Sequence, residues 1–449
     1  MVTTLILRSK QGDVRLQGPG NARLAGFEDD LRLSGYDYNT ILSIFYISYI
    51  IFEIPSNLAC KWIGPGWFLP FLTIGFGICT VAFAFVRSIE AACGVRFLLG
   101  LFEAGILPGI AYYLSRWYRR SELAFRLSMY IVMASLAGAF GGLLASGILL
   151  LDNVGGATRW QMIFLVEGIV TIGIGLISLL TLTDRPETAR WLSPAEKELA
   201  ARRIRSERVG AQNVLDKFTT KKMTAGIINP ISIGSALVFL LGNITVQGLA
   251  FFAPTIVRTI YPHDSLVSVQ LHTVPPYVVG GFFILLVNYA SWKVDRRNIF
   301  LIVSAPAIII GYIIFLSTTA PAPRYAATFI IAAGAFNSGA LCKAQVSANV
   351  VSDTARSSSI GFVVMLGNVG GLIASWSFLP GDHPNYHIGN GLNLGTSATM
   401  LILTIVMEVW MRSNNRQRSR RDSNAELDRL DAAQIEDLDW KHPGFRWRP

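Results

Sequence analysis

The stretch RFLLGLFEAGILPGIAYYLSRWYRR (residues 96–120) contains an apolar run long enough to cross a lipid bilayer and ends in a group of arginines. A bilayer core of about 30 Å requires roughly 20 apolar residues of helix. Basic residues just beyond such a run are typical of the cytoplasmic end of a membrane helix. Two charged residues, Arg96 and Glu103, nevertheless lie inside the run. The stretch therefore predicts a membrane-spanning helix that carries buried charge.

Long apolar runs like this one recur along the whole chain. Hydrophobic residues make up 52% and charged residues 15% of the 449 positions, whereas about a quarter of the residues in a soluble protein are charged. We therefore predict an all-α membrane protein with about 11 transmembrane helices. The predicted spans lie near residues 40–60, 67–86, 91–116, 123–150, 160–182, 230–257, 269–292, 298–318, 324–349, 357–379 and 393–412.

Basic residues are distributed unequally between the two alternating sets of loops. One set carries nineteen Lys and Arg residues, ten of them between Arg185 and Lys222, and the opposite set carries four. Because basic loops remain in the cytoplasm, the richer set is predicted to be cytoplasmic, together with the C-terminal tail that follows Arg412. The net charge of +10 then reflects membrane topology, and no nucleic-acid partner is expected.

The two halves of the chain share one motif. SELAFR (121–126) and SDTAR (352–356) each precede a predicted span that contains a Gly-Gly pair. Two homologous helical bundles are implied, as in carriers whose substrate site lies between parallel repeats near the midplane. The charged residues of these motifs are interpreted as gate or structural residues: Glu122, Arg126, Asp353 and Arg356. The predicted organisation is a polar N-terminal segment (1–39), a first bundle (40–182), a cytoplasmic linker with a short helix (183–229), a second bundle (230–412) and a cytoplasmic tail (413–449).

Sequence signals for catalysis are missing. The chain contains neither a GxxxxGK[ST] phosphate-binding loop nor an HExxH motif, and its five histidines are not clustered. Its four cysteines form no CxxC pair and lie in or beside apolar runs, as small hydrophobic residues do. We therefore predict that the protein is not an enzyme and holds no metal or cofactor.

Ionisable residues inside predicted spans are the main functional candidates. Each costs at least roughly 2.5–3.5 kcal/mol to insert, so it must face protein or water. Arg96, Gly100 and Glu103 share one helix face, and the glycine lets a neighbouring helix approach. Arg96 is a candidate cation for an anionic substrate, and Glu103 and Glu167 are candidates for proton coupling. For all three, bracing of neighbouring helices by hydrogen bonds is the alternative interpretation.

Two further ionisable residues are interpreted as structural. Glu53 precedes Pro55 near the cytoplasmic end of its span, where a carboxylate would brace a gate or cap a loop. Lys343 also lies near a cytoplasmic end, where a lysine side chain snorkels to the headgroups.

Neutral polar residues of the second half supply candidate substrate contacts. Asn243 and Gln247 lie on one predicted span and offer hydrogen-bonding groups. Tyr277 follows Pro275-Pro276, which is expected to break its helix, and broken backbone at membrane depth is tolerated only beside protein or a cavity. Tyr277 is therefore a third candidate.

Several long motifs follow one another along the chain: FYISYIIFEIPSN (45–57), RFLLGLFEAGILPGIAYYLSRWYRRSELAFR (96–126), DRPETARWLS (184–193), NITVQGLAFFAPTIVRTIYP (243–262), TVPPY (273–277) and SANVVSDTARSS (347–358). In this order they resemble the fungal anion:cation symporter family of the major facilitator superfamily, and within it most closely the high-affinity nicotinic acid transporters. The similarity runs from about Gly20 to the closing HPGFRW.

The resemblance implies the major facilitator fold and uptake of a small organic anion with protons across the plasma membrane, by alternating access of two helical bundles in a monomer. Relatives in that family carry allantoate, pantothenate or biotin-like acids, so the family alone does not fix the substrate. Nicotinate is the leading prediction.

The N-terminal segment departs from the family pattern. Twelve helices are expected, and a complete first helix precedes the segment seen here as residues 20–39, whereas residues 1–19 contain no predicted span. We therefore expect the first helix to be absent. Two alternative functions follow: a transporter-like membrane receptor that binds its ligand without moving it, or a non-transporting truncated product.

Overall fold

The computed structural model describes residues 30–31, 37–118, 158–189, 191–205, 219–264, 266–377, 382, 384–420 and 439–449. The regular secondary structure in these ranges is helical. The α-helices are α1 (Asp37–Ile63), α2 (Pro65–Phe83), α3 (Ile89–Ala104), α4 (Ile106–Trp117), α5 (Arg159–Thr181), α6 (Pro194–Arg205), α7 (Thr220–Ile228), α8 (Pro230–Ile260), α9 (Leu266–Val294), α10 (Asn298–Ser317), α11 (Pro321–Ala335), α12 (Ser338–Ala348), α13 (Asp353–Ser375) and α14 (His387–Ser419).

The predicted membrane spans agree with these helices. Within the described residues, 10 helical segments are long and apolar enough to cross a membrane. Each corresponds to one predicted span, and the remaining prediction, 123–150, lies outside the described residues. The prediction for residues 1–39 lies almost wholly outside them as well. Both boundaries of the last span differ, since α14 runs from His387 to Ser419 where the sequence predicted a span near 393–412.

Two of the spans consist of two helices. The span Ile89–Leu114 breaks at Gly105, between α3 and α4, and the span Pro321–Ala348 breaks between α11 and α12. At the second break, Asn337 Nδ2 donates to the carbonyl oxygen of Ala333 at 2.7 Å. The Asn337 side chain therefore donates a hydrogen bond to a backbone carbonyl at the point where the helix is interrupted.

Pro275 and Pro276 do not break their helix, so that expectation was wrong. Helix α9 runs without interruption through both residues. A proline has no N–H, so the carbonyl four residues earlier loses its helical partner. The carbonyl oxygen of His272, freed by Pro276, instead accepts a hydrogen bond at 3.0 Å from the hydroxyl of Tyr325 on α11. A neighbouring helix therefore supplies the missing donor.

Helix α13 makes the main contact between the two halves in the described part of the chain. Helices α1 and α3 pack together, as do α2 and α5, in the first half, and α8 packs on α12, α13 and α14 in the second. Helix α13 also packs against α1 and α4. The linker also contacts α13, because the hydroxyl of Ser359 on α13 donates to the carbonyl oxygen of Gly226 on α7 at 2.8 Å.

The linker helix α6 begins with a capping box formed by Ser193 and Glu196. Ser193 N donates to Glu196 Oε2 at 2.9 Å, and Glu196 N donates to Ser193 Oγ at 3.4 Å. Both hydrogen bonds occupy backbone donors that the first turn of a helix leaves without partners. The Ser193 N–H and the Ser193 hydroxyl, which donates to Glu196 Oε2 at 2.8 Å, hold the pKa of Glu196 below its usual value, since both favour its charged form.

The segment Asp439–Pro449, here called the tail segment, packs against the second half of the chain. The carboxylate of Asp439 accepts hydrogen bonds from the backbone N–H groups of Val351 (3.2 Å) and Ser352 (3.0 Å), at the start of α13. Trp447 exchanges two backbone hydrogen bonds with the side chain of Asn415 on α14. The tail segment therefore links α13 to α14.

Candidate functional site

The charged face of α3 points into the first half of the protein. Arg96, Gly100 and Glu103 are all buried. A Cβ atom at Gly100 would overlap the hydroxyl of Ser48 and lie 2.5 Å from the carbonyl oxygen of Phe45, both on α1. The glycine thus allows α1 to pack directly on this face, which keeps the two charges away from lipid.

Substitution of Gly100 by alanine is expected to destabilise the protein by about 1–3 kcal/mol, because the added methyl group overlaps the backbone of α1. The measurement is the thermal unfolding midpoint of the protein in detergent. Gly94→Ala on the same helix is the matched control, since nothing lies within 4 Å of a Cβ at that position. Equal midpoints for the two variants would show that α1 and α3 do not pack at Gly100.

Arg96 packs against an aromatic cluster on α2 and α5. Its guanidinium carbon lies 4.7 Å from the ring centroid of Phe83, which is cation–π geometry. The Phe83 ring in turn meets Phe164 edge-on at 4.9 Å. Glu167, also buried, follows Phe164 by about one helical turn. Two of the predicted residues, Arg96 and Glu167, therefore adjoin the same cluster.

Glu53 lies at the level of Glu103 on the neighbouring helix. Gly100 packs at Ser48 and Gly105 packs at Ser56, so α1 and α3 run in parallel, and the turn of α1 that contains Glu53 is level with Glu103. Glu53 is 0% exposed and interacts electrostatically with Glu103 and with Lys343. The expectation that Glu53 lies near a cytoplasmic end was wrong, because it occupies the middle of the span Ser43–Ile63.

Lys343 is also buried, so the snorkelling interpretation was wrong. Only 3% of the residue is exposed, and its Nζ atom lies 5.3 Å from the ring centroid of Phe239 on α8. Because α12 is short and packed against α8, the side chain points into the protein rather than along the helix to an end. An opposite charge in the first half, Glu53, interacts with it electrostatically.

The neutral candidates of the second half are engaged with one another and with the backbone. Asn243 Nδ2 donates to the carbonyl oxygen of Gly367 on α13 at 2.6 Å, and Gln247 Nε2 donates to Asn243 Oδ1 at 3.4 Å. Within the described residues, Gln247 Oε1 has no hydrogen-bond partner. Asn243 therefore holds α8 to α13, whereas Gln247 retains an acceptor for a ligand.

Tyr277 lines a small cavity inside the second half. Thr273, Tyr312 and Thr328 also line this cavity, which has a volume of about 20 Å³. Such a space holds about one water molecule. Tyr277 is thus buried beside a cavity that is too small for an organic substrate.

Polar contacts along α1 and α13 connect the two halves over their whole length. At one end, Lys61 Nζ donates to Thr354 Oγ1, and Asn57 Nδ2 donates to the carbonyl oxygen of Ser357. At the other end, Trp376 Nε1 donates to Ser43 Oγ at 3.1 Å. Sequence reasoning did not find this interface, since its members are ordinary polar residues near span ends.

The predicted gate residues are only partly described. Arg356 is buried on the first turn of α13, with Nη2 3.4 Å from the carbonyl oxygen of Val350. Glu122 and Arg126 lie outside the described residues, as does the side chain of Asp353. No group of three or more metal-ligating side chains occurs among the residues that the structure describes.

Comparison with known proteins identifies the family. The sequence model of the Major Facilitator Superfamily matches residues 22–375. The chain belongs to the major facilitator superfamily. It is 30% identical over 419 residues to an uncharacterized transporter of Schizosaccharomyces pombe, covering 92% of this chain and 86% of that protein.

Two further matches agree with this membership. The MFS-type transporter efuF of Hormonema carpetanum is 30% identical over 404 residues, which cover 89% of this chain and 81% of efuF. The structure of the proton:xylose symporter XylE bound to 6-bromo-6-deoxy-D-glucose matches with a TM-score of 0.67 over 90% of this chain and 92% of XylE. Because XylE is 17% identical, this match shows the fold alone. As a major facilitator superfamily member, the protein is a multi-pass membrane transporter and not an enzyme.

Proposed function

We propose that this major facilitator superfamily transporter is a proton-coupled symporter that takes up a small organic anion, with nicotinate as the leading substrate, across the plasma membrane. The observation that carries the proposal is the buried face of α3, where Arg96 and Glu103 are held one after the other inside the first half. Arginine offers a fork of donors that matches a carboxylate. The resemblance to fungal nicotinic acid transporters supplies the substrate class.

Proton coupling follows from the electrostatics of uptake. A monoanion that enters a cell against an inside-negative potential costs about 2.3 kcal/mol per 100 mV, and protons that enter with it offset this cost. A buried carboxyl group can carry such a proton because burial disfavours its charged form unless a cation is near. Glu103 and Glu167 are the proposed proton carriers. Glu103 lies on the same buried helix face as Arg96, and Glu167 follows Phe164, whose ring meets the Phe83 ring beneath Arg96.

The substrate-binding groups proposed for the second half are Gln247 and Asn243; Tyr277, beside a cavity too small for an organic anion, is left out. Gln247 has the open acceptor, and Asn243 holds it by accepting the hydrogen bond from Gln247 Nε2. The moving units are the proposed bundles 40–182 and 230–412, joined by the linker 183–229, with the C-terminus in the cytoplasm. They would rock about the contact between α1 and α13 as the site opens to either side.

The proposal predicts saturable uptake of radiolabelled nicotinate by cells that lack a nicotinate carrier and express this full chain. Uptake should rise as the external medium is made acidic and fall when a protonophore is added, because protons drive it. Isonicotinate and benzoate should compete as aromatic carboxylates, and the neutral amide nicotinamide should not. The nicotinate assignment fails if expressing cells take up no more labelled nicotinate than vector-only cells, and the organic-anion proposal fails if they also take up no more labelled isonicotinate or benzoate.

A further inference from the structure

Two opposite charges are buried on either side of the interface between the halves. Glu53 on α1 is 0% exposed and Lys343 on α12 is 3% exposed. Glu53 interacts electrostatically with Lys343. Because they belong to different halves, any motion of one bundle against the other changes this interaction.

Glu53 is not fixed by a local contact. Neither carboxylate oxygen of Glu53 has a hydrogen-bond partner within the described residues. By contrast, the buried carboxylate of Glu408 forms a direct ion pair with Arg412, at 2.6 Å, within α14. A buried carboxylate without hydrogen bonds is stable only if a proton or a nearby cation neutralises it. Glu53 therefore depends on Lys343 or on a proton.

Among the described residues, few other charges lie on the helices packed around Glu53. Helix α3 contributes Glu103, which repels it, and also carries Arg96. Helix α2 contains no acidic or basic residue, α4 has Arg116 in its last turn, and the part of α13 that follows Arg356 is uncharged. In this part of the chain, Lys343 is therefore the cation across the interface that acts on the charge of Glu53.

The surroundings of Lys343 place it beside the contact between the bundles. Its Nζ atom lies over the ring of Phe239, and a Cβ on Gly367 of α13 would overlap that same ring. Helix α13 is the element that packs on α1. Gly367 also accepts the hydrogen bond from Asn243, so Lys343 adjoins the polar residues proposed to bind substrate.

We infer that Lys343 is a second anion-binding residue and that Glu53 is a proton-accepting residue, paired across the interface until a substrate carboxylate takes the place of Glu53. The inference rests on the proposed function. When the carboxylate of the substrate binds Lys343, the Glu53 carboxylate loses its cation and takes up one proton from the open side. After the substrate leaves on the other side, Glu53 releases that proton to water and pairs with Lys343 again. One carboxylate and one proton thus move together, without net charge. In this mechanism Arg96 binds the carboxylate before it reaches Lys343, and Glu53 takes the proton-carrying role for which Glu103 and Glu167 were proposed.

The first test needs no substrate. Thermal unfolding midpoints are measured for the purified full chain and for Glu53→Gln, Lys343→Met and the double variant. If the charges interact, each single variant leaves one buried charge without its counterpart, so the double variant should lose less than the sum of the two single losses. Additive losses would overturn the pairing whatever the protein transports. Glu408→Gln, another buried Glu→Gln change but inside one bundle, should combine additively with Lys343→Met.

The second test separates exchange from coupled transport. In proteoliposomes, Glu53→Gln should keep exchange of labelled for unlabelled nicotinate but lose accumulation driven by a pH gradient, whereas Lys343→Met should raise the half-saturating concentration for exchange by about tenfold or more. Glu408→Gln should behave like the unaltered protein. If Glu53→Gln still accumulates nicotinate with the normal pH profile, the inference fails while the proposed function stands. If the unaltered protein moves no organic anion, the proposed function fails, and the unfolding cycle still decides the pairing.

Discussion

Substitution of Arg96 by glutamine is expected to lower organic-anion uptake by about 30-fold or more, because truncating one partner of a buried charge pair costs about 2–5 kcal/mol and each 1.4 kcal/mol is a tenfold change. The guanidinium lies on the buried face of α3, with Phe83 covering one side of it. A substrate carboxylate that binds there loses its hydration shell, so an amide cannot replace the charge. Arg96→Lys should recover part of the uptake, since it restores the charge without the planar fork of donors.

The matched control for Arg96 is Arg324→Gln, at a second buried arginine. Arg324 donates to the carbonyl oxygen of Thr318 at 2.7 Å and to Asn385 Oδ1 at 2.9 Å, both in the second half. Its loss should lower the amount of folded protein without changing the substrate concentration for half-maximal uptake. Uptake is therefore normalised to the protein at the cell surface. Equal effects of the two substitutions, or normal uptake by Arg96→Gln, would remove Arg96 from the binding site.

The membrane spans could be predicted because a bilayer demands long apolar runs, and such runs are visible without any knowledge of packing. The same reasoning located Arg96 and Glu103, since charge inside an apolar run is costly. Helix spacing then placed both on one face, and the buried positions agree with that placement.

The sequence could not predict that Glu53 and Lys343, on helices of different halves, interact with each other. Glu53 and Lys343 each lie on one span, and nothing local to either residue indicates that the other half supplies its counterpart. Sequence position relative to the span ends suggested two structural roles, whereas every residue of α12, Lys343 included, is buried in the protein. Similarly, the continuity of α9 through Pro275 and Pro276 depends on the hydroxyl of Tyr325, which belongs to a distant part of the sequence.

The second prediction with a large expected effect concerns the stability that Trp447 of the tail segment gives to the protein. Trp447 is 2% exposed, and its ring meets Phe445 edge-on at 5.0 Å and Trp410 of α14 at 5.4 Å. Its Nε1 atom donates to Asn414 Oδ1 at 2.8 Å. Trp447→Ala is therefore expected to cost about 3–5 kcal/mol, the usual loss for a fully buried aromatic side chain. The thermal unfolding midpoint in detergent should fall by several degrees.

Trp62→Ala is the control for this prediction, since Trp62 is 89% exposed and should change the midpoint little. The tail segment also holds the start of α13 through Asp439, and Thr354 in the first turn of that helix accepts the hydrogen bond of Lys61 from the first half. Loss of Trp447 should therefore weaken the contact between the halves as well as the second bundle. Asp439→Asn should do so more mildly, because the amide oxygen still accepts one hydrogen bond. If Trp447→Ala and Trp62→Ala unfold at the same temperature, packing of Trp447 on α14 does not stabilise the protein. If Asp439→Asn leaves the midpoint unchanged, the hydrogen bonds of the tail segment to α13 have no role in holding the halves together.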